Sequence, residues 1–444
     1  MSSLPFSGAP ADPNSLGLAA MTGPMRREGA GIQRWLIALA GTALQLCLGT
    51  VYAWSYFQNP LAKTYGWSST QVTWAFSLAI CCLGLAAAWG GLVLPRYGPR
   101  KLAMVGGVMF GAGYLVAALA LQWKSLPLLY AGYGVLGGSG LGLGYVTPVA
   151  TVAKWFPDKK GLTTGMVIMG FGFGALLMSK VFAPLLYQWS SGNLVAVFAG
   201  LGVGFMLVTT AVASLLRNPP PGFSVAAVAT PGVAAADNHP EPAGQALADL
   251  LSVRFATMWM VFFCNILAGI SLISFQSPLF QNLLHARDAT LSPEALAASG
   301  ATLIAVSSLL NGVGRMFWGA LSDRIGRTRV FRCMLASQIA VFAVLPQVGN
   351  PWLFGTLISY VLLCYGGGFG TMPAFVLDEF GQNRMPVVYG SILTAWSAGG
   401  IAGPQLLAFL KDHYAAHLST CAFLVNAGVL SIGLLLTLLL GERR

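Results

Sequence analysis

Two ionisable side chains lie inside long apolar stretches of this 444-residue sequence and away from their ends, Arg315 and Lys180. Arg315 sits in Asn311-Gly-Val-Gly-Arg315-Met-Phe-Trp318-Gly319, six residues before Leu321 closes its stretch. If the stretch is a helix, the arginine is roughly 9 Å inside its end at 1.5 Å per residue. In lipid a charge at such depth costs at least ~2.5–3.5 kcal/mol on insertion scales, so it is normally retained for a reason. No Asp or Glu occupies a comparable depth in any apolar stretch. A guanidinium without an acidic partner favours a mobile anion, and its planar donor fork matches a carboxylate with two bonds. The competing reading is that Arg315 snorkels to the surface or bonds helix-end carbonyls. Lys180 lies six residues before Leu186, but Pro184 indicates that its stretch ends sooner. A lysine stem reaches the surface readily, so snorkelling accounts better for Lys180.

The elements that must position these charges follow from composition. The chain is 56% hydrophobic and 8% charged, with a mean hydropathy of +0.71. A soluble domain carries roughly 25% charged residues, so lipid must be much of the solvent here. Apolar stretches near the 20 or so residues needed to span a bilayer recur at 34–57, 71–94, 101–122, 126–152, 163–186, 193–216, 254–280, 297–321, 329–347, 351–376, 387–411 and 416–440. Lipid admits helices or closed barrels. These runs are too long, and too rich in Leu, Ala and Gly, for the alternating strands of a barrel. The expectation is an all-α membrane protein with twelve transmembrane helices.

The net charge of +11 does not indicate nucleic acid, because the cations fall in alternate loops. Arg96, Arg100 and Lys101 follow span two, Lys154, Lys159 and Lys160 follow span four, and Arg324, Arg327, Arg329 and Arg332 follow span eight. Excess Lys and Arg marks the cytoplasmic side. Both termini are therefore expected in the cytoplasm, the protein being multi-pass in a bacterial cytoplasmic (inner) membrane. The expected organisation is a disordered cytoplasmic tail at 1–33, a six-helix half at 34–216, a cytoplasmic linker at 217–253, a second six-helix half at 254–440 and a short tail at 441–444. A short amphipathic helix is expected near Ala246–Arg254. All seven cysteines fall inside predicted spans and read as small apolar packing residues.

The halves repeat. After span two the chain reads Gly91-Leu-Val-Leu-Pro95-Arg96-Tyr-Gly98-Pro99-Arg100-Lys101, and after span eight Gly319-Ala-Leu-Ser322-Asp323-Arg324-Ile-Gly326-Arg327-Thr-Arg329. Pro148 and Gly165 find counterparts in Pro373 and Gly390 at nearly the same offset. Such a duplicated unit underlies alternating access, in which two halves rock about a site near the membrane midplane. The Gly-x-x-x-Asp-Arg-x-Gly-Arg frame resembles that of the major facilitator superfamily, fully in the second copy and with Pro95 in place of the acid in the first. Three further stretches narrow the likeness: Gly49-Thr-Val-Tyr52-Ala-Trp54-Ser55-Tyr-Phe57-Gln-Asn-Pro60-Leu61, Gly142-Leu-Gly144-Tyr145-Val-Thr-Pro148, and Asn311 to Gly319. Together they resemble the oxalate/formate antiporter family over nearly the whole chain outside the tail and linker.

The resemblance implies a transporter of small organic anions in which Arg315 binds substrate carboxylate. Oxalate-exchanging members carry a second cation, a lysine on helix eleven, where Trp396 stands here. One cation balances a monoanion and leaves a dianion half uncompensated in a low-dielectric cavity, so a monocarboxylate is favoured over oxalate. Exchange of oxalate or another dicarboxylate remains an alternative, and a transporter-like membrane sensor a second. Asn311 occupies the place of an aspartate found in proton-coupled monocarboxylate carriers; it is a candidate substrate-binding residue that can donate to substrate but cannot titrate. Tyr52, Trp54, Tyr145 and Tyr365, in Gly-rich stretches of helices one, four and ten, are further candidates for contact with substrate. Packing is the competing reading for each aromatic, Trp396 included. The loop charges Arg96, Arg100, Asp323, Arg324 and Arg327, with Asp378 and Glu379, are expected to latch the halves on the cytoplasmic side. The clustered glycines read as sites of close helix approach, with no phosphate-loop Lys-Ser/Thr after them. The four histidines show no metal-ligand spacing, and no catalytic constellation, metal site or cofactor motif is apparent. A monomer suffices for the expected fold.

Overall fold

Helix ends follow local chemistry. In the helix Ser69–Tyr97, Ser68 and Gln71 form a reciprocal capping box. The Ser68 hydroxyl accepts from the Gln71 N–H at 3.1 Å, and the Gln71 side chain accepts from the Ser68 N–H at 2.9 Å. Asn193, Ser252, Ser292 and Asn350 likewise cap Leu194–Ala213, Val253–Arg287, Pro293–Ile325 and Pro351–Phe380 with side-chain oxygens. Gly98 and Gly326, matched positions of the repeated frame, turn the chain at φ 76° and 96°. There glycine avoids the Cβ clash that other residues meet.

The structure, a computed structural model, describes residues 24–220, 243–413 and 418–441. Among them it is helical and contains no strand. Span one runs from Pro24–Leu48 through a 3₁₀ turn at Gly49–Ala53 into Trp54–Tyr65. Spans two and three are Ser69–Tyr97 and Pro99–Gln122, and span four is Leu126–Trp155 with a π-helical segment at Tyr130–Gly137. Span five is Lys160–Trp189, span six Leu194–Ala213, span seven Val253–Arg287 and span eight Pro293–Ile325. Span nine is Arg327–Val344, span ten Pro351–Phe380, span eleven Met385–Ile392 with Thr394–His413, and span twelve Leu418–Leu436. Ten of the described helices are long and apolar enough to cross a membrane. Spans eight and eleven complete the twelve: the first carries Arg315 and Asn311, and the second is broken at Leu393.

Within the halves, span three lies on six and two on four, while eight lies on ten and nine on twelve. The halves meet along two seams, five against eight and two against eleven. At the first, the carbonyls of Gly319 and Arg315 rest against Gly161 and Gly165, and Gly172 faces Gly312. At the second, the carbonyls of Pro386 and Leu393 rest against Gly91 and Gly84, and that of Ala87 against Gly390. A methyl at Gly161, Gly165, Gly172, Gly84, Gly91 or Gly390 would overlap the opposite backbone, which is why small residues line both seams.

Several expected boundaries move. The first helix starts at Pro24, so residues 24–33 are helix where a tail was expected; 1–23 lie outside the described residues. Pro184 does not end span five, because the π turn Met178–Phe182 lets the helix continue to Trp189. The linker helix is Ala243–Leu250 rather than Ala246–Arg254, since Ser252 starts a new helix that takes Arg254 into span seven. Most of the linker, 221–242, and the last three residues fall outside the described residues.

Candidate functional site

Arg315 is fully buried at 0% exposure, among the largest enclosed side chains of the chain. It does not snorkel. Its Nε donates to Asn311 Oδ1 at 3.4 Å, one turn earlier on span eight, and its Nη1 donates to the Ile168 carbonyl of span five at 3.2 Å. The arginine therefore reaches from the second half to the first. Its Nη2 has no hydrogen-bond partner, and among the described residues Arg315 forms no ion pair. The backbone that carries it is clamped, because Gly165 and Gly370 both meet its carbonyl oxygen.

Aromatic rings enclose the guanidinium. Its carbon lies 5.3 Å from the Phe171 ring and 5.1 Å from the Phe369 ring, within cation–π range. Trp396 meets Phe369 at 4.6 Å, Phe171 at 5.6 Å, Tyr145 at 5.4 Å and Tyr52 at 5.9 Å between centroids. Tyr52 and Tyr365 join hydroxyl to hydroxyl at 3.2 Å, one from each half. Asn311, Tyr52, Tyr145, Tyr365 and Trp396 thus converge on Arg315, as a shared site requires. Trp54 does not. Its Nε1 donates to the Val72 carbonyl at 3.1 Å, and its ring lies on Tyr133 and Phe198 inside the first half. Lys180 is exposed in the π turn of span five.

The charged residues on the basic face divide into two groups. Asp323 of span eight crosses the seam: its oxygens accept from the Gly161 and Leu162 N–H groups at 3.0 and 2.9 Å, at the start of span five. A carboxylate there satisfies free first-turn amides and the positive end of the helix dipole. Arg327 joins Asp323 at 2.7 Å and Asp378 at 2.9 Å, and Lys160 of the first half reaches Asp378 at 2.9 Å. The contacts described for the other expected latch residues lie within their own half. Glu379 pairs with Arg254 in its own half, and Arg100 donates to the Ser214 carbonyl at 2.5 Å. Arg96 lies over the Tyr97 ring, and Arg324 is exposed. The matching corner at the two/eleven seam lacks the acceptor of the Asp323 contact and one of its two donors. Pro95 stands where Asp323 does in the repeat. Pro386, whose carbonyl meets Gly91 as Gly161's meets Gly319, has no N–H to donate.

Sequence reasoning missed Phe171, Phe369 and Lys160. Phe171 and Phe369 sit inside glycine runs, Gly170-Phe-Gly172 and Gly368-Phe-Gly370. A lone aromatic among small residues is the signal available in the sequence.

Residues 38–404 match the model of the family described as Major Facilitator Superfamily. The oxalate:formate antiporter of Oxalobacter formigenes is 27% identical over 414 residues, covering 92% of this chain and 92% of that protein. Apicoplast pyruvate carrier 1 of Toxoplasma gondii is also 27% identical, over 89% of this chain and 85% of its own length. The crystal structure of the Escherichia coli fucose:proton symporter FucP superposes with a TM-score of 0.68 over 91% of this chain and 98% of that one, at 13% identity, a likeness of fold.

Proposed function

The chain belongs to the Major Facilitator Superfamily, a family of membrane transporters rather than enzymes, and from that premise we propose that it carries a small monocarboxylate by alternating access, with Arg315 holding the carboxylate. The observation that carries this reading is the burial of Arg315 without an acidic partner, at a point where both halves touch its guanidinium. An enclosed guanidinium is costly unless compensated, and a bound carboxylate compensates it with two charge-assisted bonds. Because no second cation enters the cage among the described residues, a monoanion leaves the site neutral and a dianion leaves it charged. Lys180, the other intramembrane cation, is exposed and supplies none. The similarity to a pyruvate carrier agrees with this choice.

A second reading, exchange of oxalate or another dicarboxylate, has in its favour the likeness to an oxalate:formate antiporter. It needs a compensating charge that the described residues do not bring into the cage. We further propose that Asp323, Arg327, Asp378 and Lys160 form the latch that holds the basic face closed. That face is the cytoplasmic one by its Lys and Arg excess, both termini lie there, and the protein works as a monomer in a bacterial inner membrane.

The test is uptake of labelled formate, acetate, lactate, pyruvate and oxalate into liposomes holding the purified protein, with Arg315→Gln alongside. Monocarboxylate uptake that the substitution abolishes is the expected result. Oxalate uptake at a comparable rate would reverse the charge argument, and undiminished transport by Arg315→Gln would remove the arginine from the site.

A further inference from the structure

We propose that Tyr389 is a further anion-binding residue, which with Tyr145 forms the inner side of the Arg315 site, while the Tyr52–Tyr365 pair closes the outer side. The proposal rests on the reading of Arg315 as the carboxylate ligand and assigns work among the tyrosines around it.

Glycine contacts fix the depth of each ring. Gly366 meets the Asn311 carbonyl and Gly370 the Arg315 carbonyl, so Tyr365 stands at the level of Asn311, one turn from Arg315 and away from the basic face. Gly49 meets the Phe171 carbonyl, and Tyr52 lies three residues further along span one, again away from the basic face. Tyr52 and Tyr365 are thus at one level, consistent with the 3.2 Å between their hydroxyls. On the other side, Gly142 meets the Leu83 carbonyl and Gly390 the Ala87 carbonyl, one turn deeper toward the basic face. Tyr145 and Tyr389 follow at that deeper level, again one from each half. The Tyr389 hydroxyl lies close to that of Tyr145 and within reach of the Arg315 charge.

The two pairs differ in how their hydroxyls are satisfied. Tyr52 and Tyr365 bond each other across the halves, so their bond must break when the outer side parts, as a gate requires. Tyr145 and Tyr389 are both 0% exposed, and neither hydroxyl has a hydrogen-bond partner. A buried hydroxyl left unbonded is costly. With an unpartnered Arg315 Nη2 the two hydroxyls give three buried donor groups and, although a hydroxyl can also accept, none of the three has a partner in this arrangement. A carboxylate has acceptor capacity for all three, about four lone-pair sites on two oxygens. Trp396 Nε1, also without a partner, sits at the wall of the same cage and can donate to a further acceptor on the substrate. The donors come from span four in one half and spans eight and eleven in the other. A single bound anion therefore ties the two halves together from the inner side.

The experiment compares Tyr389→Phe, Tyr365→Phe and Arg315→Gln in proteoliposomes, using the monocarboxylate that the wild type takes up. Tyr389→Phe removes one hydroxyl and keeps the ring. The expected result is a rise of about tenfold or more in the half-saturation concentration, the loss typical of one hydrogen bond to a charged group. Tyr365→Phe is expected to change the maximal rate while half-saturation stays within about threefold. An unchanged half-saturation in Tyr389→Phe, with Arg315→Gln inactive, overturns the assignment of Tyr389 and leaves the carboxylate reading standing. Transport by Arg315→Gln overturns both. Should Tyr389→Phe fold poorly, fluorotyrosine at position 389 keeps the hydroxyl. Its fluorine resonance is expected to move when substrate is added to the otherwise wild-type protein and to stay fixed in Arg315→Gln. No movement in either overturns the proposal.

Discussion

If the cytoplasmic latch rests on Asp323, then Asp323→Asn should open that face. The carboxylate accepts two amide N–H bonds, from Gly161 at 3.0 Å and Leu162 at 2.9 Å, and also meets Arg327 at 2.7 Å. Hydrogen bonds to charged groups contribute about 1.5–3 kcal/mol each. The side chain is 26% exposed, so solvent screening places these at the lower end. Asparagine keeps the shape and one acceptor oxygen. It loses the second acceptor and the charge opposite the helix start, the latter contributing about 0.3–1 kcal/mol. The net loss is about 2 kcal/mol, and at 1.4 kcal/mol per tenfold the closed-to-open ratio should fall about 20- to 30-fold. Spin labels at residues 159 and 325, on the two sides of the seam, report this ratio as a distance distribution. The Pro95 corner supplies the internal control. Pro95→Asp alone gains at most the Val387 amide, because Pro386 has no N–H. Pro95→Asp with Pro386→Gly restores both partners and should favour the closed population more than the single change. A distance distribution that Asp323→Asn leaves unchanged would refute the reasoning.

Two further substitutions probe the site's frame and its charge. Gly370→Ala drives a methyl into the Arg315 carbonyl, and overpacking of this kind costs about 1–3 kcal/mol. A lowered unfolding midpoint in detergent and reduced transport are expected, while Gly204→Ala, which meets nothing nearby, should change neither. Trp396→Lys places a second cation in the cage beside Phe369 and Tyr145. Oxalate uptake should appear and monocarboxylate uptake fall in the liposome assay; a variant that folds and still excludes oxalate would show that charge count does not set selectivity.

The relation between sequence and structure is clearest at particular residues. Arg315 was legible as a site because lipid makes a buried charge expensive, and that cost depends only on its place in an apolar run. The twelve helices were legible for the same reason: backbone polar groups must pair within each segment, so length and hydropathy suffice. The repeat of Gly98 in Gly326 could be read as a duplicated turn because only glycine adopts those positive φ angles readily. Trp54 and Tyr52 show where this stops. They are two residues apart in one motif, yet Tyr52 reaches across to Tyr365 and Trp54 turns back to Val72. A helical step of that size points side chains to different faces, and nothing local says which face meets the other half. The same holds for the loop charges. Arg96, Arg100 and Arg324 have the composition of a latch, but the described seam contacts are made by Asp323, Arg327, Asp378 and Lys160. The sequence alone determined the class of protein, its helices and the depth of Arg315 in its segment, since each follows from solvation along a single segment. The tertiary structure decided which aromatic rings enclose that charge and which ion pairs cross the halves, since both depend on distances between segments far apart in the chain.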